Sequence, residues 1–164
     1  MTTSQRTFNV HEVISMLEPY QGARGRQTEY PGLGMGGSVV IDLIAEMQED
    51  QSFHLTFDNL FTSLKLVDCL SAKQIACTGT IRCNRIEDCP VKSINEMKKT
   101  RRGTYDYATD VNSGLLVVRW NDNNIVNVVS NKVGIHPVQT ARPWSRSEKK
   151  KVDVPQPFLI RHYN

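Results

Sequence analysis

No two cysteines in this chain form a C-x-x-C pair. Cys69, Cys77, Cys83 and Cys89 are spaced irregularly, outside the usual zinc-ligand patterns, so Cys69 and Cys77 are expected as core fillers. The four histidines, His11, His54, His136 and His162, are scattered and suggest no ligand pair. No apolar run approaches the roughly 18 residues that a membrane span needs. The opening Met1-Thr-Thr-Ser-Gln-Arg6 lacks the apolar core of a signal peptide, which points to the cytosol or nucleus. Excess charge is also small. A net charge of +3 and a pI near 8.7 do not by themselves identify a nucleic-acid binder.

What is present suits one folded core. With 164 residues, 39% of them hydrophobic and 23% charged, the chain is long and apolar enough for a single domain. Residues 1–12 are polar and read as a ragged end. Val13, Ile14, Met16 and Leu17 suggest a strand over 13–21. Val39, Val40, Leu43, Ile44 and Met47 keep a helical stripe over Gly36–Asp50, started by Gly37 or Ser38. Phe53, Leu55 and Phe57 alternate with Ser52, His54 and Thr56, the period of a strand over 52–57. Asp58 stands where an N-cap belongs, ahead of Leu60, Leu64, Val67 and Leu70 on a helix over 59–72. Ile75, Cys77 and Ile81 mark a strand over 75–82. The order strand, helix, strand, helix, strand argues for α/β organisation.

The style changes after Arg82. Residues 82–103 carry Arg82, Arg85, Lys92, Lys98, Lys99, Arg101 and Arg102 against Glu87, Asp88 and Glu96, an excess of four positive charges. A short helix is expected near Val91–Lys99 and a strand over Thr104–Thr109. Leu115–Trp120 and Ile125–Val129 flank Asn121-Asp-Asn-Asn124, a hairpin signal because Asn and Asp tolerate positive φ. Residues 83–136 therefore read as a β-rich insertion. Residues 137–157, with four prolines and Ser145-Arg-Ser-Glu-Lys-Lys-Lys151, read as an exposed basic linker, and 158–164 as the start of another helix. Gly32-Leu-Gly34-Met-Gly-Gly37 formally matches a dinucleotide-binding motif. Residues 23–31 are no buried strand, however, so the glycines are expected only as an entry to the helix, and no nucleotide cofactor is expected.

Two words in this pattern carry a resemblance. Phe57-Asp-Asn-Leu-Phe-Thr-Ser63 is followed about twenty residues later by Thr78-Gly-Thr-Ile-Arg82, with Asn84 and Arg85. In order and separation they resemble the catalytic region of the piggyBac family of transposases and their domesticated descendants. Glu18-Pro-Tyr-Gln-Gly22 and Arg161-His-Tyr-Asn164 resemble further family segments. The resemblance implies an α/β fold with a partial RNase H-like core over 13–82, a mixed sheet with helices. It implies Asp58 as the second of three metal-binding catalytic aspartates, magnesium (or manganese) as cofactor, DNA as partner and a nuclear location, with the cytoplasm as alternative. A homo-oligomer or a chromatin partner is compatible with it.

Strand transfer by that chemistry uses two divalent ions about 4 Å apart, held by carboxylates. The first family aspartate is expected before residue 13, where only Glu12 is acidic; the third is expected just past Asn164. Asp153, in the basic linker, is a poor substitute because no regular element would fix it. The chain is therefore expected to be inactive alone, to fold marginally or with a partner, and to bind DNA weakly. Arg82, Arg85, Lys92, Lys98, Lys99, Arg101 and Arg102 are the candidate phosphate contacts, a solvated charged face being the plainer alternative. Lys149–Lys151 is either a nuclear-import patch or a soluble segment. A transposon-derived interaction module, in which Asp58 only caps a helix, is the alternative function.

Overall fold

The computed structural model describes residue 30 and residues 32–45, 53–86 and 88–163, so the strand expected over 13–21 lies outside the described residues. The chain divides into two units, one reaching Met47 and one starting at Gln48.

In the first unit, helix α1 spans Gly34–Ala45, starting two residues earlier than its apolar stripe predicts. Gly32 and Gly34 take φ of 92° and 68°, a region open to glycine because it has no Cβ. The glycine run is thus the turn that starts the helix. Ser38 lies inside the first turns, where its hydroxyl donates to the Gly34 carbonyl at 3.0 Å; it is not the cap.

The second unit is built on one five-stranded mixed sheet, ordered β1-β2-β5-β4-β3. The strands are β1 His54–Phe57, β2 Ala76–Thr80, β3 Tyr105–Thr109, β4 Leu116–Asn121 and β5 Ile125–Ser130. Helix α2 (Leu64–Ala72) connects the parallel pair β1 and β2, as a parallel connection requires. All other pairings are antiparallel. Sequence patterning predicts the strands of 83–136 as an insertion. Its strand β5 pairs directly with β2, through Thr78↔Ser130 and Gly79↔Val129, so strands from both sides of residue 82 share one sheet.

That placement explains why β4 reads as a continuous run, Leu-Val-Val-Arg-Trp-Asn, rather than an alternating one. All six of its residues are buried, as in a central strand covered on both faces. On one face Leu116, Val118 and Trp120 join Val128, Ile135, Val154, Leu159 and Ile160 in a single core cluster. Two of these come from helix α4, Phe158–Tyr163. On the other, Arg119 and Asn121 are polar yet nearly inaccessible, so they need partners. Arg119 Nε donates to Asn127 Oδ1 at 2.7 Å, and its guanidinium also reaches the Lys92 carbonyl. Asn121 Nδ2 donates to the Met97 and Thr100 carbonyls at 2.9 and 3.1 Å. These bonds tether the basic segment to the sheet. Within that segment α3 is only Ile94–Lys98, started by a Ser93–Glu96 capping box.

Residues 137–157, expected as a linker, contain four short strands: β6 Gln139–Ala141, β7 Trp144–Ser145, β8 Lys150–Lys151 and β9 Val154–Gln156. The β6–β9 and β7–β8 pairs keep one register, Ala141↔Val154 and then Trp144↔Lys151. Between them Val152 N donates to the Pro143 carbonyl at 3.1 Å. The segment is therefore one antiparallel ribbon, interrupted where Pro143 has no N–H to offer. Val154, 1% exposed, anchors its base in the core cluster. Hydropathy does not reveal such a ribbon because so few of its side chains are buried.

Candidate functional site at the end of the parallel pair

Because β1 and β2 run parallel, their carboxyl ends emerge at the same edge. Asp58 leaves β1 there, and Arg82 and Arg85 follow β2. Asp58 is exposed. Its Oδ1 accepts the Leu60 amide at 2.7 Å, the aspartate turn that bends the chain away from the strand. Its carbonyl accepts the amides of Phe61 and Thr62, both at 3.3 Å, and the Thr62 hydroxyl at 2.6 Å. Asp58 is therefore not the N-cap of α2. That role belongs to Ser63, whose hydroxyl accepts the Leu66 amide at 3.2 Å. A serine directly before Leu64, Val67 and Leu70 is a cap signal too.

The two sequence words meet across this turn. Arg85 Nη1 donates to three carbonyls of the aspartate loop: Asn59 at 3.0 Å, Leu60 at 3.3 Å and Thr62 at 2.6 Å. Arg82 Nε donates to Asn59 Oδ1 at 3.1 Å. Gly79 lies beneath the loop. A Cβ built there would fall 2.7 Å from the Phe57 ring and 2.7 Å from Thr62 Oγ1, so a side chain at 79 collides with the motif that carries Asp58. Both arginines, expected to face phosphates, thus act first as supports of the loop. Asn59, Thr62 and Gly79 complete that support, and only their places within the two motifs marked them beforehand.

The remaining basic residues divide in the same way. Lys92, Lys98, Lys99 and Arg101 are exposed. Arg102 is engaged, with Nε 2.6 Å from Asp122 Oδ1. Lys98 and Arg102 line an open pocket beside the β4–β5 turn.

Two histidines that sequence spacing left apart come together at the start of β1. The His54 and His162 rings lie 4.9 Å apart between centroids. His54 Nε2 is 2.9 Å from Thr78 Oγ1, which donates to Ser130 Oγ at 2.9 Å. His54 is exposed as a residue, yet partial desolvation of its ring, and secondarily the neighbouring His162, push its pKa below 6.5. No group of three or more His, Cys, Asp or Glu side chains that could hold a metal ion occurs among the described residues. Asp58 alone supplies one exposed carboxylate with one oxygen engaged by an amide. These residues do not by themselves fit a pair of divalent ions.

The family model described as Transposase IS4 matches residues 6–164. Over 149 residues the chain is 40% identical to human "PiggyBac transposable element-derived protein 2", covering 90% of this chain and 25% of that protein. Over 153 residues it is 39% identical to human "PiggyBac transposable element-derived protein 3", covering 92% and 26%. The chain thus spans about a quarter of the length of these curated relatives. Among solved structures it resembles the piggyBac transposase in its synaptic complex with hairpin DNA. The TM-score is 0.55 and the identity 23%, covering 85% of this chain and 27% of that one. That likeness establishes the α/β fold, a mixed sheet with helices.

Proposed function

We propose, because this chain belongs to the piggyBac transposase family, that it is part of an RNase H-like DNA strand-transfer core. Asp58 is its metal-facing carboxylate. The observation that supports this most is the placing of Asp58, exposed at the open end of a parallel strand pair, on a loop held by two arginines and a glycine. The family's chemistry implies a divalent cation. When bound, magnesium or manganese would activate an attacking oxygen and stabilise a leaving one. Among the described residues only Asp58 fits as a ligand here, and further carboxylates must be supplied from outside them. On this reading the chain assayed alone is expected to show no strand transfer.

DNA contact falls to Lys92, Lys98, Lys99 and Arg101, whose side chains are exposed. Filter binding to duplex DNA across a salt series tests it. Each neutralised phosphate contributes about −0.9 to the slope of log affinity against log salt. Replacing all four with Ala should therefore flatten the slope by roughly 3–4. No affinity at low salt would remove the DNA reading. Magnesium- or manganese-dependent strand transfer by the chain alone, abolished in Asp58→Asn, would overturn the inactivity. Asp58→Asn is the informative variant because the amide oxygen can still accept the Leu60 N–H while the charge is lost. The bond at Oδ1 favours the second reading, an interaction module in which Asp58 is only a turn residue. Under that reading Asp58→Asn is neutral in every assay, including those on a longer chain that supplies the other carboxylates.

A further inference from the structure

We infer that the tip of the β6–β9 ribbon is a stacking site for an unpaired base of a single-stranded nucleic acid, with Trp144 as the platform. The chain has two tryptophans, and the fold treats them differently. Trp120 is 5% exposed, and its Nε1 donates to the Pro155 carbonyl at 2.9 Å. Trp144 is 58% exposed. It stands near the turn of a ribbon anchored at the other end by Val154, so its indole contributes little to the core.

The charges around it are only partly paired. Lys150 Nζ is 3.1 Å from Glu148, and Arg142 Nε is 2.8 Å from Asp153. Arg146, Lys149 and Lys151 have no acidic partner among the described residues. Lys151 is the direct cross-strand partner of Trp144, and such partners share a face of the ribbon. Lys149 sits in the turn with φ of 51°, and Ser145 Oγ accepts the Glu148 amide at 3.3 Å, so the turn has a defined shape.

An exposed indole flanked by three unpaired cations matches a ligand that alternates flat apolar faces with phosphates. Single-stranded nucleic acid has that composition, and proteins bind it by aromatic stacking combined with a basic track. A duplex offers the phosphates but conceals its base faces. An acidic peptide satisfies the cations and leaves the indole without a counterpart. This site does not depend on Asp58, and it can fail or hold independently of the strand-transfer reading.

Intrinsic fluorescence with a dT oligomer of about 12 nucleotides tests it, against a duplex of equal length and polyglutamate. The dT strand should quench the exposed tryptophan's emission, while the duplex and polyglutamate should not. Trp144→Ala should weaken dT binding about 5- to 150-fold, the span of one base stack, while Trp144→Phe retains most of it. Replacing Arg146, Lys149 and Lys151 together with Ala should flatten the single-strand salt slope by roughly 2. Unchanged emission with dT, equal dT affinity of Trp144→Ala and the parent chain, or equal quenching by polyglutamate would each overturn the assignment.

Discussion

Arg85→Ala should loosen the loop that presents Asp58, and the size of the effect follows from how one nitrogen is shared. Nη1 has two hydrogens and three acceptors, so it cannot form three full bonds. The Asn59 and Leu60 carbonyls, at 3.0 and 3.3 Å, belong to exposed residues, and water can replace the arginine there. The Thr62 carbonyl is different: the bond is 2.6 Å and Thr62 is 0% exposed. A charge-assisted bond of that kind contributes about 1.5–3 kcal/mol, and an orphaned buried acceptor keeps its desolvation cost. The expected loss is therefore about 2 kcal/mol, a fall in Tm of roughly 4–8 °C for a chain of this size. Hydrogen exchange gives the local readout. The Phe61 and Thr62 amides, bonded to the Asp58 carbonyl, should exchange faster in the variant, while β4 amides change only with global stability. Arg101→Ala removes an equal charge from an exposed side chain and should stay within about 0.5 kcal/mol. If Arg85→Ala melts within 1 °C of the parent chain and protects Phe61 and Thr62 equally, the arginine does not hold this loop.

Three further outcomes follow from the same region. Gly79→Ala forces a Cβ against Phe57 and Thr62, both at 2.7 Å, and should destabilise by about 1–3 kcal/mol by overpacking; an unchanged denaturant midpoint would show that the loop yields freely. The folded-state pKa of His54 is depressed below 6.5, so the unfolded chain binds its proton first. Stability should accordingly be complete above pH 6.5 and fall with pH below it. Melts from pH 7.5 to 5 should show the loss, His54→Gln should flatten it, and a parallel loss in that variant would assign the effect elsewhere. Burial pushes the Cys77 thiol up to about 12, leaving almost no thiolate near pH 8. Mass spectrometry after brief thiol labelling of the native chain should find Cys77 unmodified, and fast labelling would show that β2 opens readily.

The parts legible in the sequence were those with a local cause. The β1–α2–β2 order, the hairpin around Asn121–Asn124 and the start of α4 each follow from periodicity or turn chemistry within a few residues. Boundaries slipped where a side chain looked local but served something distant. Asp58 has the chemistry of a cap, yet its carbonyl is the hub of a loop closed from β2, so α2 begins at Leu64 rather than at residue 59. Arg82 and Arg85 have the charge of phosphate contacts, yet their nearest acceptors are carbonyl and amide oxygens more than twenty residues earlier.

How the strands of residues 83–136 join the sheet escapes local patterning for the same reason. A continuous apolar run such as Leu115–Val118 announces burial on both faces, but not which strand lies beside it. β4 lies between β3 and β5, and it is β5 that lies beside β2, fixed by Thr78↔Ser130 and reinforced where Ser130 Oγ donates to the Cys77 carbonyl at 2.7 Å. The pairing links residues about fifty positions apart, a separation no local pattern encodes. It also bears on the candidate site. With β5 bonded along one side of β2, the other side is left to β1, and the parallel pair must open its carboxyl ends at one edge. The position of Asp58 relative to Arg82 and Arg85 is therefore set by the hairpin as much as by the two motifs. A change that weakens β2–β5 pairing, such as Ser130→Val, should speed hydrogen exchange in the Asp58 loop although it lies far away in the chain. Were that loop to stay as protected as in the parent chain, the sheet would not be what positions the carboxylate.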